Sequence, residues 1–334
     1  MPHTTPATGI GPIMLRLLAW GTVMVTFAFL IENYLVHWRE QAGAMGFLQG
    51  QTDGLLSASL YVVAAVLTVV MVLRSRNEPL RPDSARIEAL TNYLVRACFF
   101  AVLFVGLGDT AVSWLRAEGL HRVLFSDELA TQLGQTRFRG PMVHVPLMIL
   151  GFVVAAFTRT LGFFWLALLV VLVQLLMVIG RFIFAYEQPF MADLVRMWYA
   201  ALFLFASAYT LATDGHVRVD VFYSSMSHRA RALVNGIGSV VLGMTMCWTI
   251  LILGTATSAS TLIGPFLRFE QGQQTYGMMT KYTLAVFLGV FAVSMLFQFA
   301  AYTLAAAANW RDEFDPNAEP EGTETATDPK LAAG

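Results

Sequence analysis

Charge along this chain is confined to short islands. Between successive charged residues the sequence runs uncharged over 17–31, 54–73, 140–158, 160–180, 197–213, 232–267 and 282–310, with a shorter run over 97–108 between Arg96 and Asp109. An α-helix rises about 1.5 Å per residue, so roughly 20 apolar residues cross the ~30 Å hydrocarbon core of a bilayer. The pattern therefore predicts eight membrane spans, near 13–35, 54–73, 89–115, 141–158, 160–184, 190–212, 232–257 and 281–307. These runs are too long and too uniformly apolar for the strands of a barrel, and open strands leave backbone groups unsatisfied in lipid. The expected fold class is all-α: a polytopic transmembrane helical bundle without internal repeat. Spans four and five are separated only by Thr158, Arg159 and Thr160, which predicts a tight antiparallel hairpin.

One polar stretch has a helical period of its own. Written as a helix from Arg218, Val219, Phe222, Tyr223, Met226, Ala230 and Leu233 fall on one arc, and Arg218, Asp220, Ser224, Ser225, His228, Arg229 and Arg231 fill the other. This predicts an amphipathic helix lying at the membrane surface, with Val221 misplaced on its polar side.

Composition sharpens the class. Hydrophobic residues make up 57% and charged residues 13% of the 334, where soluble domains carry about a quarter charged. A net charge of −1 offers no basic patch for nucleic acid. Cys98 and Cys247 both lie within apolar stretches, which excludes a disulfide framework or zinc motif. No small-x-small cleavage site precedes Glu32, so the first apolar run is read as a retained helix. Residues 1–12 and the acidic, Pro-containing tail 309–334 are expected to be disordered, flanking membrane regions 13–158 and 159–308. With the N-terminus inside, eleven Lys and Arg fall on the inner side and seven on the outer, which predicts cytoplasmic N- and C-termini.

Intramembrane ionisable residues are the first place to look for chemistry. Arg96 and Asp109 lie 13 positions apart on one span, about 20 Å, too far to pair with each other; each is expected to snorkel toward headgroups. His144 reads as a satisfied or interfacial histidine, with no partner histidines in neighbouring spans for a haem or metal. No GxSxG, HExxH or P-loop pattern occurs. The chain is expected to have no catalytic residues, no cofactor, no metal and no enzymatic activity.

The informative stretch is 180–220. Gly180-Arg181-Phe182-Ile183-Phe184 closes one span, Asp193 opens the next with Arg196 three positions on, and Asp214-Gly215-His216-Val217-Arg218-Val219-Asp220 follows that span. Arg181, Asp193 and Arg196 are expected to form a charge cluster near the outer surface, since side chains three apart on a helix meet. This stretch, with the two spans after it, resembles the small permease (DctQ-like) subunit of tripartite ATP-independent periplasmic (TRAP) transporters, over about 160–308. The resemblance implies a scaffold for a large permease subunit in a bacterial inner membrane, with sodium-driven uptake of an organic anion, a carboxylate, delivered by a periplasmic binding protein. It also implies that Arg181, Asp193, Arg196, Asp214, Gly215, His216, Arg218 and Asp220 serve structure or the partner interface, amid membrane lipid. The four extra spans in 13–158 have no counterpart in it. Two other readings stand beside it: a self-sufficient secondary transporter, and a membrane redox or lipid enzyme.

Overall fold

The computed structural model describes residues 9–159, 163–186, 189–212, 223, 225–268 and 280–313, and among these no strand occurs. Eight helices are long and apolar enough to cross a membrane: α1 (Ile10–Arg39), α2 (Thr52–Arg74), α3 (Arg81–Ala117), α4 (Gly140–Phe157), α5 (Trp165–Ile183), α6 (Phe190–Leu211), α7 (His228–Thr255) and α8 (Lys281–Trp310). The eight expected spans are thus all present. The third begins eight residues early: Pro82 in the first turn suits a helix start, and Asp83 in the same turn favours the positive end of the helix dipole. At 37 residues α3 is about 55 Å long, well beyond the hydrocarbon thickness.

Two helices form the centre. α3 packs against α4, α6 and α8, while α8 packs against α1, α3, α6 and α7. A seam of small residues on α8 lets its neighbours approach, with Ala292, Ala300, Ala301 and Ala308 essentially inaccessible. The closest approach is between α3 and α4. A Cβ on Gly151 would stand 2.4 Å from the Ala101 backbone nitrogen, so only glycine fits there. Gly106 plays the same part under Trp198, whose indole N–H donates to the Val102 carbonyl at 3.4 Å. By contrast α2 lies along α1, and α5 lies along α6, each at the periphery with most of its apolar surface outward.

Two helices contain a π-helical turn, at Gly140–His144 and Ser239–Met244. The first precedes Pro146, which lacks the N–H that a regular helix would use there. Thr26 and Thr68 bond back one turn, to the carbonyls of Thr22 and Ala64, so these two hydroxyls reach the membrane interior satisfied.

Three expectations are corrected. α4 and α5 do not form a tight hairpin: α4 lies along α3 and α5 along α6, because the Gly151 contact commits α4 to the other side of the bundle. The surface helix from Arg218 does not run unbroken to Leu233. Residues 213–222 and 224 lie outside the described residues, while Tyr223, Ser225 and Met226 are turn and bend. A new helix starts at His228, where the Ser227 hydroxyl accepts the Ala230 N–H at 3.4 Å. Ser227 caps better than it propagates a helix, so the amphipathic face begins α7 instead. The tail does not start at 309, since α8 continues to Trp310 and Glu313 is buried; residues 314–334 lie outside the described ones.

Candidate functional site

Of the residues singled out in the sequence, Asp214, Gly215, His216, Arg218 and Asp220 lie outside the described residues. Arg181 stands exposed near the end of α5. Asp193, near the start of α6, is buried, and the exposed Arg196 places Nη1 3.6 Å from its Oδ1. The i, i+3 pair is therefore present as a loose contact at the start of α6.

The tighter polar groups are elsewhere, at the two ends of α3. At its start, Arg16 of α1 is fully buried and donates from Nε to Asp83 Oδ2 at 2.7 Å. Its Nη2 donates to the carbonyls of Glu78 at 2.5 Å and Pro79 at 3.0 Å. Asp83 also accepts from Arg86 Nη1 at 3.0 Å and from the Trp20 indole at 3.4 Å. A buried carboxylate is tolerated when its lone pairs are filled this way, and two arginines and an indole fill them here.

A second carboxylate meets the same helix start from the far end of the fold. Glu313 Oε2 accepts the backbone N–H groups of Leu80 at 2.9 Å and Arg81 at 3.3 Å. These are among the first amides of a helix, which have no intrahelical acceptor. Arg81 Nη2 returns the contact, donating to Asn309 Oδ1 at 2.6 Å, and the Ser84 hydroxyl donates to the Ala301 carbonyl at 2.7 Å. Asp312 meanwhile pairs with Arg229 at 2.9 Å, bringing the start of α7 to the same place.

At the other end of α3, Asp109 is 2% exposed. Its Oδ1 lies 2.8 Å from His144 Nε2 and 3.4 Å from Arg139 Nη1, both contributed by the segment that opens α4. The other imidazole nitrogen of His144 is 2.5 Å from the Tyr282 hydroxyl, so the ring bridges α3 to α8. Arg139 Nε donates to the Leu133 carbonyl at 3.2 Å. Burial pulls the Arg139 guanidinium below the usual arginine range, and the Asp109 charge opposes that. Nearby, the Tyr186 hydroxyl donates to Glu118, tying the α5–α6 connection to the end of α3; that hydrogen bond raises the phenol above its ordinary range.

The expectation that Asp109 snorkels is thus overturned. Its single methylene is too short to reach headgroups, and His144 supplies a nearer partner. His144 is satisfied, as read from the sequence. Arg96 of α3 donates from Nε across to the Ala155 carbonyl of α4 at 3.0 Å, near the end of that helix. The Arg16–Asp83 and Glu313 contacts were not anticipated. A signal for the Asp109 cluster did exist: adjacent antiparallel spans share an end, and Asp109 lies eight residues before the end of α3 while His144 lies four after the start of α4.

Chemically these clusters hold helices together. Among the described residues no three His, Cys, Asp or Glu side chains gather as a metal site would need. The ionic groups sit toward helix ends: Arg16 and Asp83 join spans 1 and 3, and the Glu313 and His144–Tyr282 contacts join spans 1–4 to span 8. The molecule is a polytopic helical membrane protein braced at both ends by buried ion pairs. Residues 170–314 match the family described as tripartite ATP-independent periplasmic transporters, DctQ component. Over that region the chain is similar to the DctQ component, and four of its eight spans, in an additional N-terminal membrane region, lie outside the match. Neither the curated proteins nor the solved structures compared with it gave a match.

Proposed function

We propose that this chain is the small membrane subunit that scaffolds a large TRAP permease subunit in a bacterial inner membrane, with both termini cytoplasmic. The permease carries an organic anion, a carboxylate, inward with sodium after a periplasmic binding protein delivers it. The observation that carries this reading is the family match over 170–314, which takes in most of α5 and all of α6, α7 and α8. The outward surface of α5 supports it. Val171, Leu172, Leu175 and Leu176 are all exposed along that helix, an apolar face inside the family-like region available to a second membrane subunit. In this reading Arg181, Asp193 and Arg196 anchor one end of that face, and Asp214, Gly215, His216, Arg218 and Asp220 serve the partner interface. The four additional spans enlarge the scaffold from behind, through α3.

The test is affinity purification of the tagged full chain from its native membrane after gentle solubilisation, with a cysteine at Leu172 for cross-linking. A larger multi-span subunit is expected both in the eluate and in the cross-linked band. Recovery of the chain alone, together with undiminished uptake by cells lacking it, would overturn the scaffold role.

A further inference from the structure

A groove runs along the outer side of the α3–α4 pair. It encloses about 550 Å³ and is lined by Tyr93 of α3 and by Val145, Ile149, Phe152, Val153 and Phe157 of α4. From Val145 to Phe157 the helix rises about 18 Å, close to the depth of one leaflet in a hydrocarbon core ~30 Å thick. Ile149, Val153 and Phe157 are exposed, so the surface is apolar and open along its length.

A cation stands at one end. Arg96 lies within span α3, where an ionised group demands a partner. Its Nε is held by the Ala155 carbonyl at 3.0 Å, and its guanidinium carbon lies 6.0 Å from the centre of the Tyr93 ring. These contacts fix the plane of the guanidinium and leave its two terminal nitrogens without a protein acceptor among the described residues. Arg159, exposed, follows Phe157 by two positions at the same end. A fixed guanidinium fork suits a phosphate, and basic pockets between spans select lipid headgroups.

We infer that this groove is a binding site for one anionic phospholipid of the bilayer. An acyl chain lies along α4 from Phe157 toward Val145, the phosphate meets the terminal nitrogens of Arg96, and Arg159 adds a second positive charge. The charge at the mouth is what distinguishes it. The linings of both this groove and another of about 500 Å³ between α1 and α7 are uncharged, and it is Arg96, held against Tyr93 and Ala155 beside the lining, that gives this one a headgroup contact. The inference requires only that α3 and α4 lie in a bilayer, whatever the chain's partners.

Native mass spectrometry of the full chain in detergent, titrated with phosphatidylglycerol or with phosphatidylcholine of the same acyl chains, tests it. One phosphatidylglycerol should be retained with about tenfold preference, since both lipids offer a phosphate to Arg96 but only phosphatidylcholine carries a trimethylammonium that Arg96 and Arg159 repel. Arg96→Ala should bring its retention down to the phosphatidylcholine level. Ile149→Trp, which fills the exposed groove and leaves Arg96 in place, should lower it comparably and decides the matter if Arg96→Ala fails to fold. Equal retention of the two lipids by the unmodified chain would overturn the site, as would retention indifferent to the groove-filling change. So would cross-linking of a cysteine at Ile149 to another protein subunit in native membranes, which makes the groove a subunit contact.

Discussion

Asp83 and Asp109 stand on one helix, about 39 Å apart along its axis, and both are buried. Asp83 is met by two arginines and an indole, and its principal partner, Arg16, comes from α1 within the additional region. Asp109 is met at short range by a histidine and more loosely by an arginine at 3.4 Å, and its network continues through Tyr282 into the family-like region. One end is a dense ionic clamp, in which Arg16 and Asp83 close the extra spans on themselves and Glu313 ties the start of α3 to the end of α8. The other is a thinner hydrogen-bonded bridge that joins those spans to the rest. A buried carboxylate on a spanning helix therefore does not by itself mark a transport path; its partners tell what it does.

Which end faces which compartment is the sharpest way to break this comparison, because the outcome is all or none. With the N-terminus inside, a single cysteine at Asn77 should be labelled only from the cytoplasm and one at Glu128 only from the periplasm. Labelling of both from one side would remove the assignment of the clamp to the inner end. Next in size is Asp83→Asn, which leaves Arg16 buried opposite an uncharged amide. It should cost about 3–5 kcal/mol, read as thermal unfolding of the purified chain in detergent. His144→Phe should cost less, about 1–3 kcal/mol, because it removes hydrogen bonds and leaves Arg139 beside Asp109. Equal losses in these two variants would erase the distinction between clamp and bridge. Smallest is Arg196→Ala, expected to cost under about 1 kcal/mol since its side chain is 59% exposed. A large loss in recovery of a partner subunit with that small change in stability would sharpen the case for Arg196 as an interface residue.

The spans were legible because lipid imposes a simple rule on charge, and uninterrupted apolar runs such as 232–267 and 282–310 obey it. Span boundaries were less so. Arg81, Asp83 and Arg86 look like a loop in a hydropathy pattern, yet they form the first turns of α3 because Glu313, Arg16 and, for Arg86, Asp83 and Glu78 satisfy them. Helix neighbours were not legible either. The short Thr158-Arg159-Thr160 link suggested a hairpin, but connection length says nothing about the Gly151–Ala101 contact that settles where α4 lies. The candidate interface was read from a motif whose second part, 214–220, falls outside the described residues. The polar joints themselves were missed because their members are far apart in sequence: Leu80 and Glu313 are separated by 233 residues.

That separation has a consequence in time. Leu80 and Arg81 are made early and Glu313 late, so the start of α3 is complete only after α8 has been synthesised and has entered the bundle. Until then the free amides of α3 must turn to water or headgroups. Since Asp312 holds Arg229 from the same turn, the arrival of residues 312 and 313 fastens the starts of α3 and α7 together. The order in which the ribosome delivers the chain thus leaves this fastening until after α8 has been inserted.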